Sequence, residues 1–546
     1  MESRRIPVRA ATVSRPEPVA PSASRAARVL LVGFQDQDNL GLGYLASSLR
    51  AAGHDVRIES FGTDPAPLIH VSRKWAPDIV GFSMIFQFMA PEFAHAIDAL
   101  RAAGVNAHFT MGGHYASFAP ETLLRLMPEL NSVVRFEGEQ TIVDIAAAVV
   151  EGRSWRDIPG IAWRDGDLVR TTGPRAAVED LDDLPWPERT VAAYHRHSLP
   201  TASVLASRGC PWTCSFCSII TFYDGNGTRG RRRRNPVRVV DEIEHLVVER
   251  GVRLLLFQDD DFLAGGRDAR DWALTIAREI TTRHLQDRLR FKFSCRSDEV
   301  REEVLVPLIE AGLSHVYLGV EAGDPEALKT LNKRISPDVH VRAGEILRRL
   351  DLSFDFGFML LEPWSTLSTV RNNLRFLREF CYGGYAAAGF CRTLPYVGTP
   401  MEEQLRAEGR LAGPALEADY RFLDPKLDVL WDFSLLAFAG RNYGKDAMWD
   451  RLRGLLFEAH LSFPDRPHDP DFLAAARALT NASNTLLLDV AEEGLDIVER
   501  AHHPTAADAA LVRLAKFSRE ENERIRGTMA ALWSARPRTV VEELFR

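Results

Sequence analysis

The stretch Ala202–Ser218, ASVLASRGCPWTCSFCS, runs from a short apolar strand straight into a loop that carries Cys210, Cys214 and Cys217. Its Cys-x3-Cys-x2-Cys spacing bunches three thiols within eight residues, where they could not conveniently pair with one another. Thiolates bind soft metals, but a structural zinc site takes four protein ligands and no fourth Cys or His lies near this loop. A [4Fe-4S] cluster with three protein ligands leaves one iron open to a ligand that is not protein. The loop is therefore read as a cluster site, with Cys210, Cys214 and Cys217 as metal ligands and catalytic centre.

Downstream, the strand-like runs RLLLFQD, FKFSCR, HVYLGVE, FDFGFML and AAGFCRTLPY alternate with helical stretches such as PVRVVDEIEHLVVERG. With ASVLAS they make six βα repeats over residues 200–412, which predicts a partial, six-stranded, TIM-like parallel barrel. Upstream, RVLLVGF, DVRIESF, PDIVGFSM and AHFTMGG alternate with GLGYLASSLRAAG and PEFAHAIDALRAAG. That pattern predicts a flavodoxin- or Rossmann-like parallel sheet over 28–152, with its ligand mouth in the loops after LLVGF, VGFSM and FTMGG. The fold class is α/β. Residues 153–199 read as a linker with a hairpin turned at Asp165-Gly166, residues 1–27 as a disordered lead, and 413–546 as a mainly helical region that holds the substrate.

At 546 residues and 46% hydrophobic composition, the chain can bury several cores. A formal charge of −8 argues against a general polyanion binder, so no nucleic-acid partner is expected. Six cysteines are too few for a disulfide scaffold, no apolar run is long enough to cross a membrane, and the N-terminus lacks an apolar secretory core. A soluble, cytoplasmic protein is expected. The run RGRRRR, 229–234, reads as a solvated face or as arginines paired with acidic surface, with a charge-assisted clamp as the sharper alternative.

The three-cysteine loop at a first barrel strand, with aromatic Phe216 before the last cysteine, resembles the radical S-adenosylmethionine superfamily. The resemblance implies that the open iron chelates S-adenosylmethionine and that reductive cleavage gives a 5′-deoxyadenosyl radical, with electrons from a donor such as flavodoxin or ferredoxin. It implies S-adenosylmethionine contacts from Phe216, from Asp259, Asp260 and Asp261 in FQDDDFLAG, from Ser294 and Arg296 in FSCRSDEV, and from Glu321 in GVEAGDPEALKTLNKRIS. LPYVGTP resembles the sixth-strand ending of multidomain members. GFMLLEPWST departs from the frequent Pro-Gly-Glu-Thr ending and leaves the roles there open.

GLGYLA, 41–46, formally matches the dinucleotide fingerprint Gly-x-Gly-x-x-Ala, with Glu59 as a ribose-binding acid, but QDQDNL separates the strand from its first glycine. A better match is the cobalamin-binding domain that precedes the barrel in one branch of the superfamily, which shares an LGLGYLAS-like first helix, a GFSM-like third strand, a glycine pair as in GGHYAS and a GE turn as in RFEGEQTI. The resemblance implies cobalamin contacts from Leu40, Gly41, Ser83, Met84, Phe86, Gln87, Gly112, Gly113, His114, Ser117, Glu137 and Gly138. The Asp-x-His-x-x-Gly motif is absent, so no histidine is expected beneath the cobalt. Together the two cofactors imply methyl transfer from methylcobalamin to an unactivated carbon of a small, free or carrier-bound specialised metabolite. The rivals are a cobalamin-dependent radical cyclase, oxidase or ring-rearranging enzyme, and a non-catalytic cobalamin-binding protein. Trp431, Tyr443 and Trp449 read as core more than as pocket lining, and Cys295, Cys381 and Cys391 as ordinary buried thiols.

Overall fold

The computed structural model describes residues 25–35, 38–189, 194–196, 199–228, 230–444, 446–465, 467–502 and 508–535. Most of the expected lead, residues 1–24, lies outside these, as do Arg229 of the arginine run and His503. Arg25 and Ala27, counted into the lead from sequence, are already anchored. Arg25 forks onto Asp78 at 2.7 and 2.9 Å, and Ala27 is fully buried.

The front sheet is built from β1 (Arg28–Gly33), β2 (Asp55–Ser60), β3 (Ile79–Ser83), β4 (His108–Gly112) and β5 (Ser132–Val134), in the order β2-β1-β3-β4-β5 and all parallel. β1 is apolar almost throughout because helices cover both faces, giving one core on each side of the sheet. The order reverses between β1 and β3, which opens a crevice at their C-terminal ends.

The hairpin expected in the linker is present as β6 (Ile161–Asp165) and β7 (Leu168–Thr171). It is not a free connector. β6 pairs antiparallel with β5, Val133 opposite Ala162, and covers a sheet edge whose backbone groups need partners. The chain that follows lies along the helix Leu40–Ala51, where a Cβ on Gly43 would stand 2.6 Å from the Glu188 carbonyl oxygen. That close approach accounts for the glycine in the formal dinucleotide match.

The second sheet holds β8 (Tyr194–Arg196), β9 (Leu199–Val204), β12 (Leu254–Phe257), β13 (Arg290–Arg296), β14 (Leu313–Glu321), β15 (Ser353–Leu361) and β16 (Cys391–Arg392), while β10 (Ser207–Arg208) and β11 (Arg232–Arg233) form a separate short antiparallel pair. Six strands, β9 and β12 to β16, run parallel as a half-barrel, and β8 caps the edge antiparallel. The C-terminal region is helical, at Pro425–Asn442, Met448–His460, Pro470–Arg500 and Asp508–Ser534. Phe457, Leu461 and Phe463 pack on Leu199, Leu254 and Leu256 at the barrel floor, so this region closes one side of the half-barrel.

Candidate functional site

The cysteine loop leaves β10 through Gly209, whose φ of 89° and 2.3 Å clearance to the Gly230 carbonyl admit no side chain. Its backbone is fixed from three directions. Gly209 N–H donates to Asp260 Oδ2 at 2.9 Å, Ser215 N–H donates to the Leu331 carbonyl at 3.0 Å, and Met401 N–H donates to the Ser215 carbonyl at 2.8 Å. Asn332 Nδ2 adds bonds of 2.6 and 3.0 Å to Thr213. The loop therefore holds its pose without using its thiols.

Burial raises all three thiols, Cys217 to about 12, with the nearby Asp260, Asp261 and Glu321 carboxylates pushing the same way where they face them. Lys333 and Arg296 oppose this at Cys214. Among the described residues no three His, Cys, Asp or Glu side chains are gathered as a single-ion site. Thiols that bind separate corners of a cluster need not converge on one point. With three cysteines and no other ligand on the loop, the donor set fits a [4Fe-4S] cluster.

Around the loop, the strand ends carry paired charges. Glu321 sits at φ 69°, at an irregularity in the β14–β15 register, and its Oε1 meets Lys333 Nζ at 3.1 Å. Arg296 bonds Asp298 at 2.9 Å and the Lys333 carbonyl at 2.7 Å while its guanidinium lies 4.1 Å over Trp212. Ser294 is half-buried on β13, and Phe216 packs against the barrel core.

The three acids divide. Asp259 accepts from Ala206 N–H at 3.1 Å and from Ser207 Oγ, with Arg231 at 3.6 Å, so it braces the strand end and is not open to a ligand. Asp260 braces Gly209, and burial raises it to about 6. Asp261 faces Glu299, which burial and then the Asp261 charge push up to about 9, and burial raises Asp261 as well. Asp261 Oδ1 and Trp212 Nε1 are buried with no partner among the described residues, as atoms awaiting a polar ligand are.

At the front mouth, Phe34 follows β1 and Ile85, Phe86 and Phe88 follow β3, all largely exposed, Phe86 at 47%. An apolar shelf at a sheet switch point, with buried Gln35 Nε2 and His114 Nε2 unpartnered beside it, fits a large macrocycle with polar edges. Gly113, at φ 113°, would place a Cβ 2.1 Å from the Met84 carbonyl oxygen, and Gly112 accepts from Met84 N–H at 2.8 Å.

Several expected cobalamin contacts have other work. Met84 is fully buried in the sheet core. Ser117 Oγ donates to the Gly113 carbonyl at 2.8 Å and accepts from Phe136 N–H at 2.7 Å. Glu137 is bound by Arg208 at 2.9 Å and Arg232 at 2.6 Å. His114 stacks on Phe222 at 4.3 Å, and burial lowers it to about 4. Gln87 is buried, Leu40 is nearly so, Ser83 and Gly138 are half-buried and Gly41 is exposed.

The arginine run is not a solvated face. Arg231, Arg232 and Arg234 are engaged inside, by Ser207, Glu137 and Glu242 respectively. Lys333 was missed from sequence although it lies in TLNKRIS, because nothing in its spacing marks it as Glu321's partner. Cys391, expected to be an ordinary buried thiol, keeps exposed surface while protein closely surrounds it, and burial raises it to about 12. Cys295 and Cys381 are buried. Trp449 donates to the Ala387 carbonyl at 3.0 Å within the helical region.

The two mouths face each other. Phe86 approaches Tyr396 at 6.4 Å, Phe118 fills the space beside Gly398, and Ser203 N–H donates to Asp38 Oδ2 at 2.7 Å. A cysteine-loop half-barrel set against a parallel sheet with an open apolar switch point defines a two-cofactor protein. Residues 29–146 match the B12 binding domain and residues 204–372 match the Radical SAM superfamily, so the chain belongs to the radical S-adenosylmethionine proteins that carry a cobalamin-binding domain. These domains bring a [4Fe-4S] cluster, S-adenosylmethionine and cobalamin.

The chain is 29% identical over 434 residues to an uncharacterized methyltransferase of Pyrococcus horikoshii, covering 78% of this chain and 88% of that one. It is 28% identical over 406 residues to the hopanoid C-3 methylase of Methylococcus capsulatus, covering 73% of each. In fold it is similar to the cobalamin-dependent S-adenosylmethionine radical enzyme OxsB, with a TM-score of 0.71 and 16% identity over 93% of this chain and 80% of that one.

Proposed function

We propose that this protein is a cobalamin-dependent radical S-adenosylmethionine methyltransferase acting on an unactivated carbon of a small molecule, a specialised metabolite that is free or carrier-bound. The observation that carries the reading is the apposition of the two strand-end mouths, with Phe86 of the front shelf against Tyr396 of the barrel rim. The likeness to two methyltransferases over most of the chain supports it.

When bound, the cluster with S-adenosylmethionine supplies a carbon-centred radical that removes a hydrogen atom, and cobalamin supplies the methyl group. Cys210, Cys214 and Cys217 hold the cluster. Glu321, oriented by Lys333, and Asp261 with Glu299 present polar groups to S-adenosylmethionine. The shelf of Phe34, Ile85, Phe86 and Phe88 would hold the corrin, and the unpartnered His114 Nε2 would offer a polar group beside it. Cys391 and Tyr443, whose hydroxyl donates to the Phe390 carbonyl at 3.2 Å, would stand beside the substrate, and holding it between the two mouths would lower the entropic part of the barrier. Electrons come from a small reduced carrier such as flavodoxin or ferredoxin, in the cytoplasm. Among the described residues no helix is long and apolar enough to cross a membrane.

The test is anaerobic reconstitution with iron, sulfide and hydroxocobalamin, followed by incubation with methyl-labelled S-adenosylmethionine and candidate metabolites. Label in a product heavier by one methyl, together with 5′-deoxyadenosine, supports the reading. A product that loses hydrogen without gaining the label points to a cyclase or oxidase, and cobalamin uptake without a cluster points to a binding protein.

A further inference from the structure

The cysteine loop is gripped on both flanks by the front domain. At its entry, Arg208 on β10 sends its guanidinium to Glu137 Oε1 at 2.9 Å and Glu139 Oε1 at 2.7 Å, and lies 4.9 Å over the Tyr44 ring. Arg232, on the paired strand β11, reaches the same Glu137 at 2.6 and 3.2 Å. The side chains of Arg208, Glu137 and Glu139 are exposed by only 7, 7 and 9%. Removing one partner from such pairs strands a buried charge, so these contacts constrain geometry in a way that surface pairs do not.

At its exit, the helix Ile219–Asp224 starts two residues after Cys217 and drives Phe222 into a nest of His114 at 4.3 Å, Phe136 at 5.7 Å and Phe118 at 6.3 Å. Phe136 sits at φ 63°, a region bulky residues seldom occupy, and its ring fills the place where Gly225 would carry a Cβ, 2.1 Å away. A strained aromatic lodged in a glycine-shaped hole persists because its surroundings over-determine it.

We propose that the front domain is a positioning clamp for the cysteine loop. Glu137 and Glu139 fix its entry, the aromatic nest around Phe222 fixes its exit, and the clamp couples occupancy of the front mouth to occupancy of the loop. The link is short. His114 directly follows Gly113, whose backbone lies against Met84 at the front mouth, and its ring stacks on Phe222. This deepens, and rests on, the reading of the loop as a cluster site and the front mouth as a cobalamin site. Such coupling is reciprocal, so the cluster strengthens cobalamin binding by the factor by which cobalamin strengthens retention of the cluster.

The experiment uses the full chain and three variants, the double change Glu137→Gln with Glu139→Gln, Phe222→Leu as a change of modest volume, and Glu188→Gln as a control. Glu188 pairs with Arg50 where the connecting segment lies along the helix Leu40–Ala51, away from the loop. In the cofactor-free protein, amide hydrogen exchange over residues 207–222 is expected to quicken by about tenfold in the first two variants and to stay unchanged in the control. After reconstitution, the wild-type chain is expected to bind hydroxocobalamin at least about fivefold more tightly with its cluster than without, and the two clamp variants are expected to lose that difference. Unchanged exchange in both clamp variants overturns the clamp, and so does wild-type cobalamin affinity indifferent to the cluster. A wild-type chain that takes up neither cofactor sinks the functional reading, and the exchange comparison then decides the clamp by itself.

Discussion

The barrel mouth and the front mouth are both rims of parallel strands, yet they are finished in opposite ways. The barrel rim is crowded with buried charges that satisfy one another, Lys333 with Glu321, Arg296 with Asp298 and Arg231 with Asp259. The front rim ends in exposed phenylalanines and a backbone stripped to glycine. The difference teaches how each site holds its ligand. A rim of paired charges is rigid and preorganised for a small polar group, whereas an apolar shelf gains affinity by burying area and tolerates change at any one position.

The largest blow to that contrast falls on the cysteines. Replacing Cys210, Cys214 and Cys217 with alanine is expected to take bound iron from about four atoms per chain to none while leaving hydroxocobalamin uptake by the front shelf weakened but measurable. Iron and cobalt analysis of the same sample checks it, and retained iron would break the assignment of the loop.

Next is Lys333→Ala, which leaves the half-buried Glu321 carboxylate without its partner. A loss of about 2 to 3 kcal/mol in urea unfolding is expected, less than for a fully buried charge because Glu321 keeps some contact with solvent, with Lys333→Arg losing less. A loss below about 1 kcal/mol would show that the barrel rim is not the rigid element the contrast needs.

Acid separates the two regions by sign. Burial holds His108 and His114 in the front domain at about 4, so the unfolded chain binds protons there first as pH falls through 6.5. Their contribution is fully present above 6.5 and is lost between there and 4, about 3 kcal/mol per ring at most. In the barrel, burial raises Glu362 to about 7, so its charge penalty at neutral pH is relieved as pH falls below 7. Hydrogen exchange at pH 7.5 and pH 5, corrected for the intrinsic rate, should show the front domain loosening and β15 not. Equal loosening would erase the distinction.

The smallest effect concerns the shelf. Phe86 is 47% exposed, so Phe86→Ala should leave stability within about 0.5 kcal/mol and weaken hydroxocobalamin binding by about tenfold. An unchanged affinity by spectral titration would move the corrin away from β3.

Much of the architecture was legible because its signals are local. Six strand runs and the Cys-x3-Cys-x2-Cys spacing needed no partner to be recognised, and neither did the turn at Asp165-Gly166. What escaped depends on contacts between distant residues. RGRRRR leaves a solvated face, a surface pairing and a clamp all open until Glu137, 95 residues before Arg232, is known to lie beside it. Asp259, Asp260 and Asp261 are three equal acids in sequence, and only the burial of Ser207, Gly209 and Glu299 against them makes two into braces and one into half of a carboxyl pair. The hairpin was visible, but its attachment to β5 was not, because sheet order is a property of the fold.

Phe136 in the hollow of Gly225 also bears on how such proteins can be recombined. The two cofactor domains look like cassettes, each with its own sheet and core, but the seam between them has a matched bump and hole. A front domain borrowed from a relative would need a ring at the position of Phe136 and no side chain at the position of Gly225, or the graft would seat askew. Inheritance of the pair as one unit, crossing points placed outside 136–225, is the rule this seam imposes on anyone shuffling these enzymes.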